Sequence, residues 1–327
     1  MRAAILLVMM TSTVVLAQTQ PPKLLRLYEE NDLFTLHNSD RGYTNGSRFD
    51  LYYQRHKKPQ TILNSLLLKA GDSSVNTYSW GFMQSMITPS NLSATEPDPH
   101  DYRYSGSLYI SHALHSSNPV KKYLIQTEWI AGIMGRYAFA RQTQTYVHKL
   151  TNSPKPMGWD HQLSSALLLN VNLKYEKSLI EKRHFEIIYG GDMFVGTMMN
   201  GIAAHTTIRV GKMPGYFTGY MDQFTAMPGG EKLKAYIFVQ PSIGAMAHNT
   251  MIEGNIFHGG IFKGDRNPEK KNSDPSLEPH HHMTCLDMGG VIAYQGIGAS
   301  FTYKILSSFA RTLPGQAVGN ISLYVRL

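Results

Sequence analysis

From about residue 24 to the last residue, apolar and polar positions alternate in run after run with a period of two, the pattern of half-buried strands. In "ALLLNVNLKYEK" Leu167, Leu169, Val171, Leu173 and Tyr175 share one face, and Asn170, Asn172, Lys174 and Glu176 share the other. "KYLIQTEWIAG" sets Tyr123, Ile125, Thr127 and Trp129 against Gln126 and Glu128, and "ISLYVRL" sets Ile321, Leu323, Val325 and Leu327 against Ser322, Tyr324 and Arg326. The alternation predicts twelve strands, near residues 24–32, 43–55, 76–87, 104–114, 122–134, 164–177, 183–194, 200–211, 232–247, 286–295, 297–306 and 317–327.

A soluble sandwich would turn the apolar face inward, and a membrane barrel would turn it toward lipid and fill its lumen with polar groups. Three features favour the barrel. Many strands are about ten residues long, enough to cross a bilayer at a tilt; Tyr and Trp sit near several strand ends, as interfacial girdles do; and the final strand reaches the last residue. Leu327 departs from the aromatic ending familiar in such barrels. The expected fold is therefore all-β, a twelve-stranded antiparallel transmembrane β-barrel in a bacterial outer membrane. With the first strand running outward, parity places the extracellular connections near 33–42, 88–103, 135–163, 195–199, 248–285 and 307–316.

Composition adjusts this picture in three places. Arg2 precedes an apolar and small-residue run to Ala17, read as a secretory signal over 1–17 with one barrel domain over 18–327. That run is too short for a spanning helix, which needs about 20 apolar residues. The net charge of +8 suits an anionic partner without being diagnostic, and nothing further supports nucleic-acid binding. Cys285 is the single cysteine, so no internal disulfide can form, and stability must come from burial or closure.

The chemistry concentrates at the predicted outer rim. "LYEENDLFTLHNSDRGYTNGSRFDLYY", residues 27–53, carries Asn31, Asp32, Asn38, Asp40 and Asn45 between two alternating runs. The Glu30–Asp32 run offers hard oxygen ligands for calcium or magnesium, or is a polar strand end. Asn45-Gly46 suits a tight turn, yet alternation resumes directly after it, so Gly46 more readily marks a close backbone approach. "NGS" matches a glycosylation acceptor and is disregarded as a chance match. Between Tyr137 and Leu150 the alternation stops and a short helix is expected, ended by Pro154 and Pro156. On it Gln144 and His148 are four apart and share a face. A histidine there can act as a general base or simply be solvated. His280 to His282 with Cys285 could hold a soft metal or be a solvated tract. No nucleophile elbow, phosphate-cradling loop or paired-cysteine zinc pattern is present.

"END" at 30–32, "DRGYTNG" at 40–46, "DYRYSG" at 101–106 and "QTYVHKLTNSPKPMGWDHQ" at 144–162, in this order, resemble the outer-membrane lipid A 3'-O-deacylase family. The likeness is strong over the N-terminal half and elsewhere is mainly barrel pattern. It implies calcium-dependent hydrolysis of the 3'-linked acyl or acyloxyacyl ester of lipid A, at a site between the outer wall and a loop helix facing the outer leaflet. By motif, Asn31 and Asp32 organise the metal with Thr44 nearby, His148 is the base, and Gln144 supports it. Some members carry a carboxylate six residues after the histidine; Pro154 stands there here, a departure that bears on the metal shell and not on the histidine. Arg103, Lys149 and Lys155, external by parity, are candidates to meet lipid A phosphates or are ordinary solvated charges. The partners implied are lipopolysaccharide and membrane lipid, with no obligate protein partner. Three alternatives remain: a passive pore, an outer-membrane phospholipase with a serine nucleophile, and a barrel that binds lipopolysaccharide without cleaving it.

Overall fold

A computed structural model describes residues 21–35, 41–55, 62–96, 98–226, 232–257, 261 and 277–327; the expected signal segment, Asn38 and Asp40 lie outside them. Twelve strands close into a barrel: β1 Lys23–Asn31, β2 Gly42–Tyr53, β3 Val75–Thr88, β4 Ser105–Asn118, β5 Tyr123–Met134, β6 Ala166–Lys182, β7 Phe185–Gly196, β8 Met199–Lys212, β9 Leu233–Asn249, β10 His282–Tyr294, β11 Ile297–Leu306 and β12 Gln316–Arg326. Each pairs antiparallel with its neighbours in sequence, and β1 closes on β12. Helix α1 spans Ile62–Ser65, α2 Ala140–Thr151 and α3 Thr250–Glu253.

The apolar face points outward, as expected of a barrel in lipid. Leu167 and Leu169 are about half exposed while Leu168 and Asn170, which alternate with them, are buried, and Ile237, Val239 and Ile243 are outward on β9 in the same way. The interior is obstructed at both ends and keeps between them a polar cavity of about 250 Å³ beside Arg26, Lys304 and Asn320. At the end where α2 lies, Met83, Tyr109, Ile130 and Met134 from the wall meet Tyr102, Leu163, Met251 and Ala310 from the connections, forming an apolar cap. Burial raises the Tyr102 phenol above its ordinary range, so the neutral hydroxyl can pair with Ser308 at 3.3 Å and accept from the Phe309 amide.

The opposite end is filled by residues 213–226, the connection between β8 and β9, which folds into the lumen. Tyr220 stacks on Tyr52 at 4.5 Å, and Phe224 lies flat on Tyr324 at 4.2 Å. Lys234, 1% exposed, donates to Asp222 Oδ1 at 2.6 Å and to the Thr225 carbonyl at 2.7 Å, pinning the plug to β9. Between cap and plug, ion pairs cross the lumen: Arg26 and Arg48 grip Asp50, Arg48 also holds Glu128, and His205 lies between Glu176 and Asp192.

Three boundaries differ from expectation. β10 begins at His282 rather than near 286, because its first outward positions, His282 and Thr284, are polar and break the apolar alternation. Cys285 is thus a strand residue, its thiol donating to Asp287 Oδ1 at 3.1 Å. β6 runs on to Lys182 through a bulge after Ser178. β4 continues to Asn118 because its outward Ser116 is covered: the connection after α1 lies along the wall and donates the Ala70 amide to Ser116 Oγ at 2.9 Å and the Leu68 amide to Thr127 at 3.2 Å.

Candidate active site

Helix α2 lies against the outside of the wall, where the expected helix begins three residues later than Tyr137 and ends one later than Leu150. Its contact face is Ala140, Gln144 and His148, spaced by four. Ala140 seats on Gly106 of β4, where a side-chain carbon would lie 2.3 Å from the Ala140 methyl. Glycine at that position permits the close approach. Ala140 also packs with Met86, Leu92, Tyr104 and Trp159, and Gln84 Nε2 donates to the Ala138 carbonyl at 2.6 Å.

The helix ends at Asn152, which adopts the left-handed conformation at φ 57° and turns the chain back. Pro154 thereby returns beneath His148, its carbonyl oxygen 2.6 Å from Nδ1. A carbonyl can only accept, so Nδ1 carries the proton and the neutral ring presents a lone pair on Nε2. His148 as a whole is 8% exposed. One turn earlier, Gln144 is 3% exposed, and its Oε1 accepts from Trp159 Nε1 at 2.7 Å. That bond sets the amide's orientation. Among the described residues, Gln144 Nε2 has no hydrogen-bond partner.

The rim of β1 supplies the second half. Asn31 ends the strand and caps the 3-10 turn Asp32–Phe34, its Oδ1 accepting from the Leu33 amide at 2.8 Å. Asp32 is 1% exposed, and its carbonyl accepts from Thr35. Asn31 is in register with Asn45, Asn45 with Met86, and Met86 packs on Ala140. One row of neighbours thus runs from Asn31 to Ala140, four and eight residues before Gln144 and His148 on the same helix face. A bulge between Tyr43 and Asn45 sends Tyr43 into the lumen beside Glu30 and turns Thr44 outward, where its hydroxyl meets that of Thr88 at 2.6 Å. Gly46 is crowded by side chains rather than by another backbone segment, with the Tyr43 hydroxyl against it.

Other candidates separate from this site. Glu30, first of the "END" run, points into the lumen and pairs with Lys304 at 3.1 Å, because adjacent strand residues face opposite sides. His280 and His281 each commit Nδ1 to a main-chain carbonyl, of Ser308 and Met246, while Cys285 joins the interior. Among the described residues no cluster of three or more His, Cys, Asp or Glu is placed to hold a metal. Arg103 is half-buried near the rim, and Lys149 and Lys155 are exposed on either side of the turn that holds His148.

Where the start of α2 meets the wall lies a groove of about 620 Å³, bordered on the helix side by Phe139 and Thr143 and lined by none of His148, Gln144, Asn31 or Asp32; a site between wall and helix was expected, its lining was not. Leu27, Phe49, Phe82, Leu108, Leu323 and Phe139 form its apolar walls, and Glu29, Ser47 and Gln84 form a polar band. The signal was available: on β1 and β2 these are outward positions by parity, where polar residues are out of place.

The family model described as "Outer membrane protein LpxR" matches residues 3–327 of this chain. Among solved structures, LpxR from Salmonella typhimurium superposes with a TM-score of 0.67 at 15% identity, covering 92% of this chain and 99% of its own. The β domain of the Bordetella autotransporter BrkA gives 0.43 at 8% identity over 94% and 99% of the two chains. No curated protein sequence matches.

Proposed function

The chain belongs to the LpxR family of outer-membrane proteins that modify lipid A, and on that premise we propose that it hydrolyses the 3'-linked acyl or acyloxyacyl ester of lipid A in the outer leaflet. The observation that carries this reading is the His148–Pro154 contact, which leaves Nε2 as the proton acceptor on the face shared with Gln144.

In this mechanism Nε2 of His148 takes a proton from a water molecule as it attacks the ester carbonyl, and returns it to the departing sugar oxygen. The tetrahedral intermediate carries a negative oxygen. Gln144, with its carbonyl oxygen already held by Trp159, points its amide hydrogens at that oxygen, a preorganised donor in a site with little water. The hard-oxygen pair Asn31 and Asp32 fits calcium by donor chemistry, though calcium takes six to eight ligands, and water and substrate must complete the shell. A cation held there would supply electrostatic stabilisation of the same developing charge. Acyl chains enter sideways from the membrane into the groove, and Arg103, Lys149 and Lys155 meet the phosphates. The obstructed lumen supports an enzyme working on its outer wall over a passive pore.

The test is incubation of the detergent-solubilised protein with lipid A, with calcium or a chelator, followed by mass spectrometry of the products. Loss of one 3' chain, abolished by His148→Ala and by chelation, is the expected result. Equal cleavage by His148→Ala would remove the histidine from the mechanism.

A further inference from the structure

The connection from β2 to β3, which carries α1, lies along the outside of β3, β4 and β5 at the end of the barrel opposite α2, the periplasmic end by strand parity. The wall beneath it is polar where a lipid-facing wall is apolar: His112 and Ser116 on β4 and Thr127 on β5 face outward, yet each is at most 3% exposed. The connection covers them. Asn64 Oδ1 lies 2.9 Å from His112 Nε2, the Ala70 amide donates to Ser116 and the Leu68 amide to Thr127. The Ala70 carbonyl accepts from Asn118 at 2.7 Å and from the Tyr123 hydroxyl at 2.8 Å, and Leu67 packs on Tyr78 and Leu114.

The outer side of this connection has the opposite character. Leu66 and Leu68 are 51% and 50% exposed, and Lys69 beside them is exposed. Two more cations flank them. Arg55 lies over the rings of Tyr53 and Tyr78, which pack around Leu67. Lys121 is exposed in the turn after β4, and its amide donates to the same Asn118 side chain that holds Ala70. Asp72 is the one carboxylate among the described residues of the connection. Tyr53, Tyr78, Tyr123 and Trp129 surround the patch, and such aromatic residues mark the level where hydrocarbon gives way to head groups.

We propose that this patch is a binding site for an anionic phospholipid of the periplasmic leaflet, its acyl chains against Leu66 and Leu68 and its phosphate met by Lys69, Arg55 and Lys121. Position and charge select this occupant. Exposed leucines on a lipid-facing wall are covered by hydrocarbon, and cations at the aromatic level reach the phosphate layer. Three cations against one carboxylate favour a head group of net negative charge over a zwitterionic one. A second copy of the chain docked through the same patch would set these cations against their own likes. The bound lipid keeps the connection seated over His112, Ser116 and Thr127.

The site lies at the end away from α2, so its test is independent of ester hydrolysis. The full-length protein in neutral detergent is given equimolar dioleoyl phosphatidylglycerol and dioleoyl phosphatidylcholine, and the lipids retained are counted by native mass spectrometry. Phosphatidylglycerol is expected to be retained at least about fivefold over phosphatidylcholine, the equivalent of one Lys or Arg at an anionic surface. In the triple variant Arg55→Gln, Lys69→Gln, Lys121→Gln, checked for a folded barrel by heat-dependent gel mobility, the ratio falls to about one. Arg183→Gln, Lys212→Gln, Lys232→Gln, which removes the same charge from the turns around β7 to β9, keeps the wild-type ratio. Leu66→Ser with Leu68→Ser lowers retention of both lipids alike. A wild-type ratio near one, a preference that survives the first triple variant, or equal loss in the second would overturn the proposal, and so would a dimer held by the patch in place of lipid.

Discussion

Nδ1 of His148 lies 2.6 Å from the carbonyl oxygen of Pro154, so a main-chain acceptor orients the imidazole. The acceptor is neutral and rigid, and it fixes the tautomer without adding charge. Removing the ring removes proton transfer while leaving the barrel's hydrogen-bond ladder untouched. His148→Ala is expected to lower the rate of 3' deacylation by about 10²–10⁴-fold, measured by mass spectrometry of lipid A, with unchanged heat-dependent gel mobility.

In the proposed reaction Trp159 would act through Gln144. Its indole N–H is the described partner of Gln144 Oε1, and the ring is fully buried against Tyr104 at 4.7 Å. Trp159→Phe keeps most of the packing but frees the amide to rotate, so that oxygen and nitrogen exchange places. The expected result is about a tenfold fall in kcat with KM little changed, since the lost interaction forms in the transition state. In a double-mutant cycle with Gln144→Leu the two losses should not add. Additive losses would mean that Trp159 and Gln144 act independently.

The seat of α2 offers a test that leaves every polar group in place. A side-chain carbon at residue 106 would stand 2.3 Å from the Ala140 methyl, whereas the lumen side of β4 would be unaffected. Gly106→Val should lift the helix from the wall and widen the groove. Activity is expected to fall at least tenfold, as positioning losses of about 1 Å do, and α2 should become cleavable by protease in a barrel that remains folded. Unchanged activity would show that the seating of α2 is irrelevant to catalysis.

How far these features could be read from the chain depended on whether the signal was local. Leu167 to Tyr175 announce a strand because each outward residue meets the same apolar surroundings. The start of β10 does not, since His282 and Thr284 occupy outward positions without being apolar. The plug at 213–226 has no period at all; its structure comes from Tyr52, Tyr324 and Lys234 on distant strands. At the site, Gln144 and His148 are visible as a helical pair four residues apart. Trp159 and Pro154 become meaningful once the turn after α2 folds back, and Glu29 once its parity is compared with that of its neighbours. Glu30 shows the converse, a plausible ligand by proximity that strand alternation sends to the wrong side of the wall.

The interior predicts electrical silence. With an apolar cap at one end and Tyr220, Phe224 and their partners at the other, both ends of the lumen are obstructed among the described residues. Planar bilayers containing the protein should show no steady conductance. Lys234→Met removes the cation that holds Asp222 and the Thr225 carbonyl, leaving a partly buried carboxylate without its counter-charge. The expected cost is about 3–5 kcal/mol, read from the urea midpoint, with transient channel openings as the plug loosens. Steady conductance in the wild type would revive the pore reading.

Calcium should act through Asp32, and the effect can be measured without turnover. Asp32 is buried at the rim directly after Asn31, so a bound cation would be held by the folded protein and not by the unfolded chain. Such a ligand stabilises by mass action, by about 2.7 kcal/mol at a hundred times its dissociation constant. Millimolar calcium is therefore expected to raise the unfolding midpoint of the wild type. Asp32→Asn keeps the shape and one oxygen but removes the charge that a hard cation requires. In that variant the calcium-dependent shift should vanish, together with most of the deacylation. His148→Ala, by contrast, should retain the shift and lose the activity. If calcium fails to shift the wild-type midpoint, or still shifts it in Asp32→Asn, the cation does not bind at Asp32, and the oxyanion must rely on Gln144.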